Sequence, residues 1–175
     1  GVLAGASHGG APLGGPAGRA YTRGRVGTSE DQIVGGSATK GITGIDYEDA
    51  YELLMLTAEG TAPESGAFPG RTGADRYPAL GYIPYDEHSG GASRTLEFSY
   101  NDWALSHLAE HLGKTDEVER PRERPKSWRN VFDTESKFFR AKDAHGAPPE
   151  PLDTRRYAAR GGTADTEGQP RPCRS

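Results

Sequence analysis

The chain has 175 residues, 33% of them hydrophobic, with 25 glycines and 13 prolines. That length suits one domain, and so much Gly and Pro confines a packed core to part of it. A formal net charge of −4 argues against an electrostatic nucleic-acid binder, and the single cysteine, Cys173, excludes an internal disulfide framework.

Residues 1–36 are rich in Gly and Ala and show neither a helical nor a strand period, so a disordered or loop-rich segment is expected. The first helix signal starts at Asp46, a suitable N-cap, with Glu48 and Asp49 in the first turn where the helix dipole favours acids. Tyr47, Ala50, Tyr51, Leu54, Met55 and Ala58 then form an i, i+3, i+4 stripe, and Gly60 is the expected stop. Residues 60–80 read as a loop punctuated by Pro63, Pro69 and Pro78, and residues 81–84 as a short apolar turn.

A second helix is predicted from Ser93 or Thr95 to Leu112, with Gly113 as its stop and Ser93 and Thr95 as caps. Its apolar arc holds Leu96, Tyr100, Trp103, Ala104, Leu108 and Leu112, with Asp102, Ser106 and Glu110 opposite. An arc that wide fits packing against two neighbours. It also carries an acid, Glu97, which is costly to bury alone and so must be paired, hydrogen-bonded or functional. Beyond Thr115, Pro121 and Pro125 forbid a continuous helix, since each costs about 3 kcal/mol inside one. A helix from about Pro125 to Phe132 and an extended piece over residues 137–142 are expected instead. Residues 144–175 are rich in Pro, Gly and Arg and read as a disordered, solvated tail. No apolar run approaches the roughly 20 residues of a membrane span, and no signal peptide is visible. Neither a membrane nor nucleic acid is an expected partner. The start at Gly1 without Met is compatible with a fragment or a processed form.

Several segments recur in a recognisable order. They are Lys40-Gly41-Ile42-Thr43-Gly44-Ile45-Asp46, Gly81-Tyr82-Ile83-Pro84, the block from Ser93-Arg94-Thr95-Leu96-Glu97 through Asn101-Asp102-Trp103, then Leu112-Gly113-Lys114, Trp128-Arg129-Asn130-Val131-Phe132-Asp133 and Phe138-Phe139-Arg140-Ala141-Lys142. In this order they resemble glycoside hydrolase family 92, the calcium-dependent exo-acting α-mannosidases, across residues 37–143. The block from Thr95 to Trp103 is the most specific part. The resemblance implies a mainly α fold, a few helices of an (α/α)6 barrel. It also implies removal of terminal α-linked mannose from glycans with inversion, and Ca²⁺ as cofactor at the sugar site. Inversion takes two carboxyls roughly 6.5–9.5 Å apart, one protonating the leaving oxygen and one activating water. Calcium takes hard oxygen ligands such as carboxylates and carbonyls.

By the same resemblance, Thr166-Glu167-Gly168 matches the start of the family's general-acid segment, which makes Glu167 a candidate general acid. Pro170-Arg171-Pro172 then stands where the family has an aromatic-containing run. The family's general base lies in a later segment that nothing here matches. Asn101 occupies a position where the family usually has an acid, and the pattern lapses after about Pro149. A truncated or degenerate copy, inactive alone, is therefore the expectation.

The remaining candidates divide between sugar contact and structure. Glu97 either lines the sugar pocket or is a structural acid paired with a nearby Arg or Lys. Tyr82 is either a stacking platform for a sugar or a packing residue. Trp103 is expected in the core and Asp102 in a structural or surface role. His107-Leu108-Ala109-Glu110-His111 matches H-x-x-E-H, with two histidines one turn apart and Glu110 placed as a base for zinc. Zinc needs a third protein ligand nearby, so packing histidines are the plainer reading.

The organisation expected is a loop-rich segment over 1–36, a partial α/α-barrel domain over 37–143 and a tail over 144–175. The function expected is that of an α-mannosidase fragment acting on mannose-containing glycans. The alternatives are a non-catalytic remnant that binds glycan or a partner helix, and a small zinc peptidase using His107, Glu110 and His111. Secretion or a periplasmic location suits the whole enzyme; oligomeric state and linkage preference are left open.

Overall fold

The computed structural model describes residues 28–59, 71, 73–114 and 123–149. Within them lie helices α1 (Ser29–Thr39), α2 (Tyr47–Ala58), α3 (Tyr77–Leu80), α4 (Gly91–His111) and α5 (Trp128–Val131), with a 3-10 turn at Arg124–Lys126. Among the described residues β-structure is limited to an isolated antiparallel bridge between Phe132 and Phe139. The mainly helical class expected from the sequence is the one observed. The long helix α4 is the axis: α1, α2, the 3-10 turn and α5 all pack on it.

The helix α1 is the main departure from the sequence reading, which expected loop up to residue 36. Its buried residues are Glu30, Asp31, Val34, Gly35 and Ala38, so the inward face is made of acids and small groups. Ile33, its largest apolar side chain, is exposed. No apolar stripe could announce such a helix. Gly35 and Gly36 each cost about 1 kcal/mol in a helix interior relative to Ala. Gly35 recovers this by close approach: a Cβ there would stand 2.6 Å from the Ala104 carbonyl oxygen of α4.

The helix α2 follows its pattern closely. Asp46 Oδ1 accepts from Asp49 N at 3.1 Å, the expected N-cap bond. Ala50, Tyr51, Leu54 and Ala58 are buried and join Val34 and Ala38 of α1 and Leu105, Leu108 and Ala109 of α4 in one apolar cluster. Tyr47 and Met55 pack at its edge. Gly60, the expected stop, lies outside the described residues; Glu59 is the C-cap.

Residues 73–80 are not all loop, because α3 forms one turn with Pro78 in its first positions, where a missing N–H is harmless. Gly81 ends it in the left-handed region at φ 70°. The apolar turn over residues 81–84 is as expected and is tied to α4 by one hydroxyl. Thr95 Oγ1 accepts from Ile83 N at 3.0 Å and donates to Gly91 O at 2.7 Å. Thr95 is therefore an interior anchor rather than a cap, and α4 starts at Gly91 with Gly90 as N-cap.

The face assignment of α4 also changes. Asn101 and Asp102 are fully buried, whereas Tyr100 and Trp103, expected in the core, are about half exposed. Packing on several sides leaves α4 without a simple two-faced pattern. Tyr100 and Trp103 stack on each other at 5.6 Å and 14°.

In place of one helix over residues 125–132, the 3-10 turn and α5 are separated at Ser127. The extended piece over 137–142 is present: Asp133 N donates to Phe138 O and Arg140 N to Val131 O. Residues 144–149, expected in the tail, are held in place. Asp143 Oδ1 accepts from His145 N at 2.9 Å and Ala147 N at 2.8 Å. Asp86 Oδ1 accepts from Ala144 N at 3.0 Å, and Pro149 O accepts from Arg140 Nη2 at 3.0 Å. Residues 150–175 lie outside the described residues.

Replacing Gly35 with Ala should force α1 away from α4. The expected loss is about 1–3 kcal/mol of stability, as for overpacking generally, read from the urea midpoint. Gly36→Ala, where an added Cβ meets nothing within 4 Å, should be neutral or stabilising.

Candidate functional site

The most concentrated chemistry among the described residues is a buried charge cluster where α1, Arg71 and α4 meet. Arg71 Nη1 donates to Asp102 Oδ1 at 2.5 Å and Nη2 donates to Asp31 Oδ2 at 3.0 Å. Its Nε donates to Thr28 Oγ1 at 3.1 Å. Side-chain exposure is 0–1% at all three charged residues. Thr28 in turn donates to Asp31 Oδ2 and accepts from Asn101 Nδ2 at 3.1 Å. Asn101 Oδ1 accepts from Gln32 Nε2 at 2.8 Å. The Phe98 ring lies beneath the guanidinium, with Arg71 Cζ 5.2 Å from its centroid, and Tyr77 meets Phe98 edge-on at 5.5 Å.

The electrostatics follow from burial. Burial works against the Arg71 charge, but Asp102 and Asp31 outweigh it and hold the guanidinium protonated. Desolvation pushes Asp31 up to about 6 despite Arg71 and Thr28. It also raises Glu30, with its own backbone and Arg71 pulling the other way. Burial, then Asp102, pushes the Tyr77 phenol up to about 12. Asn101 suits its place because its amide donates to Thr28, which a carboxylate could not do. An acid there would also add negative charge to a cluster already rich in it.

Two carboxylates flanking a third group invite comparison with a glycosidase pair, but an inverting pair must admit a sugar and a water between its members. Asp31 and Asp102 are sealed from solvent, with a guanidinium between them. They organise the scaffold rather than perform the chemistry. Asp102 was expected in a structural or surface role; it is structural and buried.

The residues singled out by sequence lie elsewhere. Glu97 is half-buried on the second turn of α4. Tyr82 is buried in a second apolar cluster with Ala92, Val131 and Ala141, against which Leu96 packs. Its hydroxyl donates to Asp143 O at 2.9 Å. Burial, then Asp143 and Asp86, raises its phenol above the usual value. Glu167 lies outside the described residues. The structure thus brings Tyr82 beside the neighbour of Glu97, while the charge cluster around Arg71 was missed. Its members, at positions 31, 71 and 102, are too far apart in sequence to carry a spacing signal.

The zinc reading finds no support among the described residues. His107 Nδ1 lies 3.2 Å from Glu110 Oε2, and its ring meets Trp103 edge-on at 4.5 Å. His111 instead meets Tyr47 of α2. Among the described residues no three His, Cys, Asp or Glu side chains are grouped to hold a metal. The third ligand that zinc demands is therefore lacking there. Among the described residues no acidic group is placed to cage calcium either. The best acidic pair, Asp31 and Asp102, already surrounds the charge of Arg71 and offers no cage for a second cation.

Residues 3–172 match the glycosyl hydrolase family 92 catalytic domain, and the chain belongs to that family. The match extends past both ends of the 37–143 stretch legible from motifs. An uncharacterized secreted glycosidase of Arthroderma benhamiae is 34% identical over 122 residues, covering 65% of this chain and 16% of that protein. The family GH92 α-mannosidase BT3965 of Bacteroides thetaiotaomicron, solved with mannoimidazole, superposes with a TM-score of 0.70 at 27% identity. That match covers 82% of this chain and 18% of the mannosidase. The inverting GH92 mannosidase BT2199 of the same organism gives 0.68 at 31% identity, over 79% of this chain and 18% of its own. The chain thus spans less than a fifth of the length of each of these relatives. Among the described residues no helix is long and apolar enough to cross a membrane.

Removing Arg71 while keeping its acids should be severe. Arg71→Met leaves two carboxylates buried without their cation and should cost about 3–5 kcal/mol. Combining it with Asp31→Asn and Asp102→Asn should recover a large part of that loss. Equilibrium unfolding of the single and triple variants checks both outcomes.

Proposed function

We propose that this chain is part of a glycosidase that hydrolyses terminal α-linked mannose of glycans with inversion of configuration. The observation that supports the reading most is the family match over nearly the whole chain. It is joined by the superposition on an inverting mannosidase and on a mannosidase solved with mannoimidazole. In this reading α4 is scaffold, and Glu97 contacts the mannose ring or orients a neighbour that does. Tyr82 positions the turn before α4 through its Asp143 bond rather than offering a free stacking face. Glu167 is the general acid by family resemblance, protonating the leaving oxygen. The base that activates water comes from a segment with no counterpart here, so the 175 residues alone do not turn over. Calcium enters through the family resemblance and would be held by oxygen ligands outside the described residues. The relative described as secreted supports an exported enzyme.

A second reading, a glycan-binding module without catalysis, draws on the exposed stack of Tyr100 and Trp103. A sugar face placed on such rings would be held by contact with their π surface. Titrating mannose oligosaccharides while following Trp fluorescence tests it, since Trp128 is available as a control in a Trp103→Phe variant.

The main reading is tested by grafting residues 28–149 into the equivalent position of the inverting Bacteroides mannosidase. The chimera should cleave an aryl α-mannoside and release β-mannose first, as seen by NMR. A folded chimera that cleaves a different glycoside, or none, would refute the proposal. In the active chimera Glu97→Gln should lower kcat/KM tenfold or more, the roughly 1.5–3 kcal/mol of a hydrogen bond to a charged group.

A further inference from the structure

The cluster around Arg71 holds more negative charge than its cation can balance. Arg71 acts on Glu30, Asp31 and Asp102 alike. Asp31 and Asp102 are sealed from solvent, and each keeps one carboxylate oxygen, Asp31 Oδ1 and Asp102 Oδ2, without a hydrogen-bond partner. An orphaned carboxylate oxygen in a dry interior is costly, and a second uncompensated charge beside it more so. The groups that face the pair come from α1 with its N-cap, α3 and α4. The helix α1 brings Glu30 and the Thr28 hydroxyl, α3 brings the Tyr77 phenol, and α4 brings the Asn101 amide. None of these adds a positive charge. From this geometry we infer that the Asp31–Arg71–Asp102 cluster takes up one proton in mild acid, and that this proton controls how firmly α1 is docked on α4.

The proton belongs on Asp31. Asp102 keeps the shorter bond to Arg71, so protonating Asp31 leaves one intact ion pair and a neutral acid. The first turn of α1 favours a negative charge through the helix dipole, but burial outweighs that and lifts Asp31 from 3.8 to about 6. The sign follows from linkage: the folded state binds the proton more tightly than the unfolded chain. Stability is greatest below the unfolded value, falls as pH rises through about 6, and is then flat. A difference of about two pH units corresponds to roughly a hundredfold change in the folding constant. Glu30, also raised, works in the same direction. Asp133 and Asp143, both lowered, act in the opposite sense only below the ordinary carboxylate range.

The test uses the full chain. Hydrogen exchange of α1 amides, referenced to those of α2, and the urea midpoint are followed from about pH 4.5 to 7.5. Wild type should lose α1 protection and midpoint as pH rises. Asp31→Asn, neutral and of the same shape, should flatten both, and Glu30→Gln should keep most of the slope. An Asp31→Asn variant with the wild-type slope overturns the inference. Should that variant not fold, carboxyl ¹³C NMR of wild type decides: one Asp titrating near 6 supports it, and every Asp titrating below about 5 overturns it.

Discussion

The guanidinium of Arg71 is the constraint on which the rest of this structure depends. It donates to α1 through Asp31, to the start of α1 through Thr28 and to α4 through Asp102. These groups have no route to solvent, so the bonds they make are made inside the fold, with Asp31 Oδ1 and Asp102 Oδ2 left over. A hydrophobic contact tolerates small slips, whereas a forked donor holding two carboxylates does not. The crossing of α1 over α4 is therefore set by hydrogen-bond geometry. The apolar cluster with α2 then fills the space alongside.

How much of this was legible in the sequence differs element by element. The helix α2 was readable because its apolar spacing and its Asp46 cap report the same boundaries. The turn over residues 81–84 and the existence of α4 were readable for similar reasons. The helix α1 was not, because Gly35, Ala38 and Asp31 face inward and no moment of hydrophobicity marks them. On α4 the pattern misled. Asp102 is polar and its spacing sets it opposite the apolar arc, but a helix enclosed on several sides must bury some of its polar positions, Asn101 and Asp102 among them. Those positions are satisfied by residues 28, 32 and 71, remote in sequence and invisible to periodicity. The order of residues 144–149 rests on Asp143 accepting backbone N–H groups, a local device hidden in a stretch whose composition suggests disorder.

Family membership and the internal architecture answer different questions. The motif block from Thr95 to Trp103 carried the resemblance, and in the structure it proves to be mostly interior. Thr95 anchors the preceding turn, Phe98 supports Arg71, and Asn101 and Asp102 complete the charge cluster. The interior members of the block thus help to fix the crossing of α1 over α4. The half-buried Glu97 and the exposed Tyr100 and Trp103 are its outward-looking members.

The wide sequence separations around Arg71 also bear on the order of assembly. Its bonds to Asp31 and Asp102 close loops of 40 and 31 residues. Ions lose their hydration before they gain each other, so this junction is a poor nucleus. On loop-closure and desolvation costs, local winding of α4 and apolar collapse of α2 onto it are expected first, with α1 captured last. A chain caught before that final step would retain its two longest helices while leaving an arginine and two acids still wet.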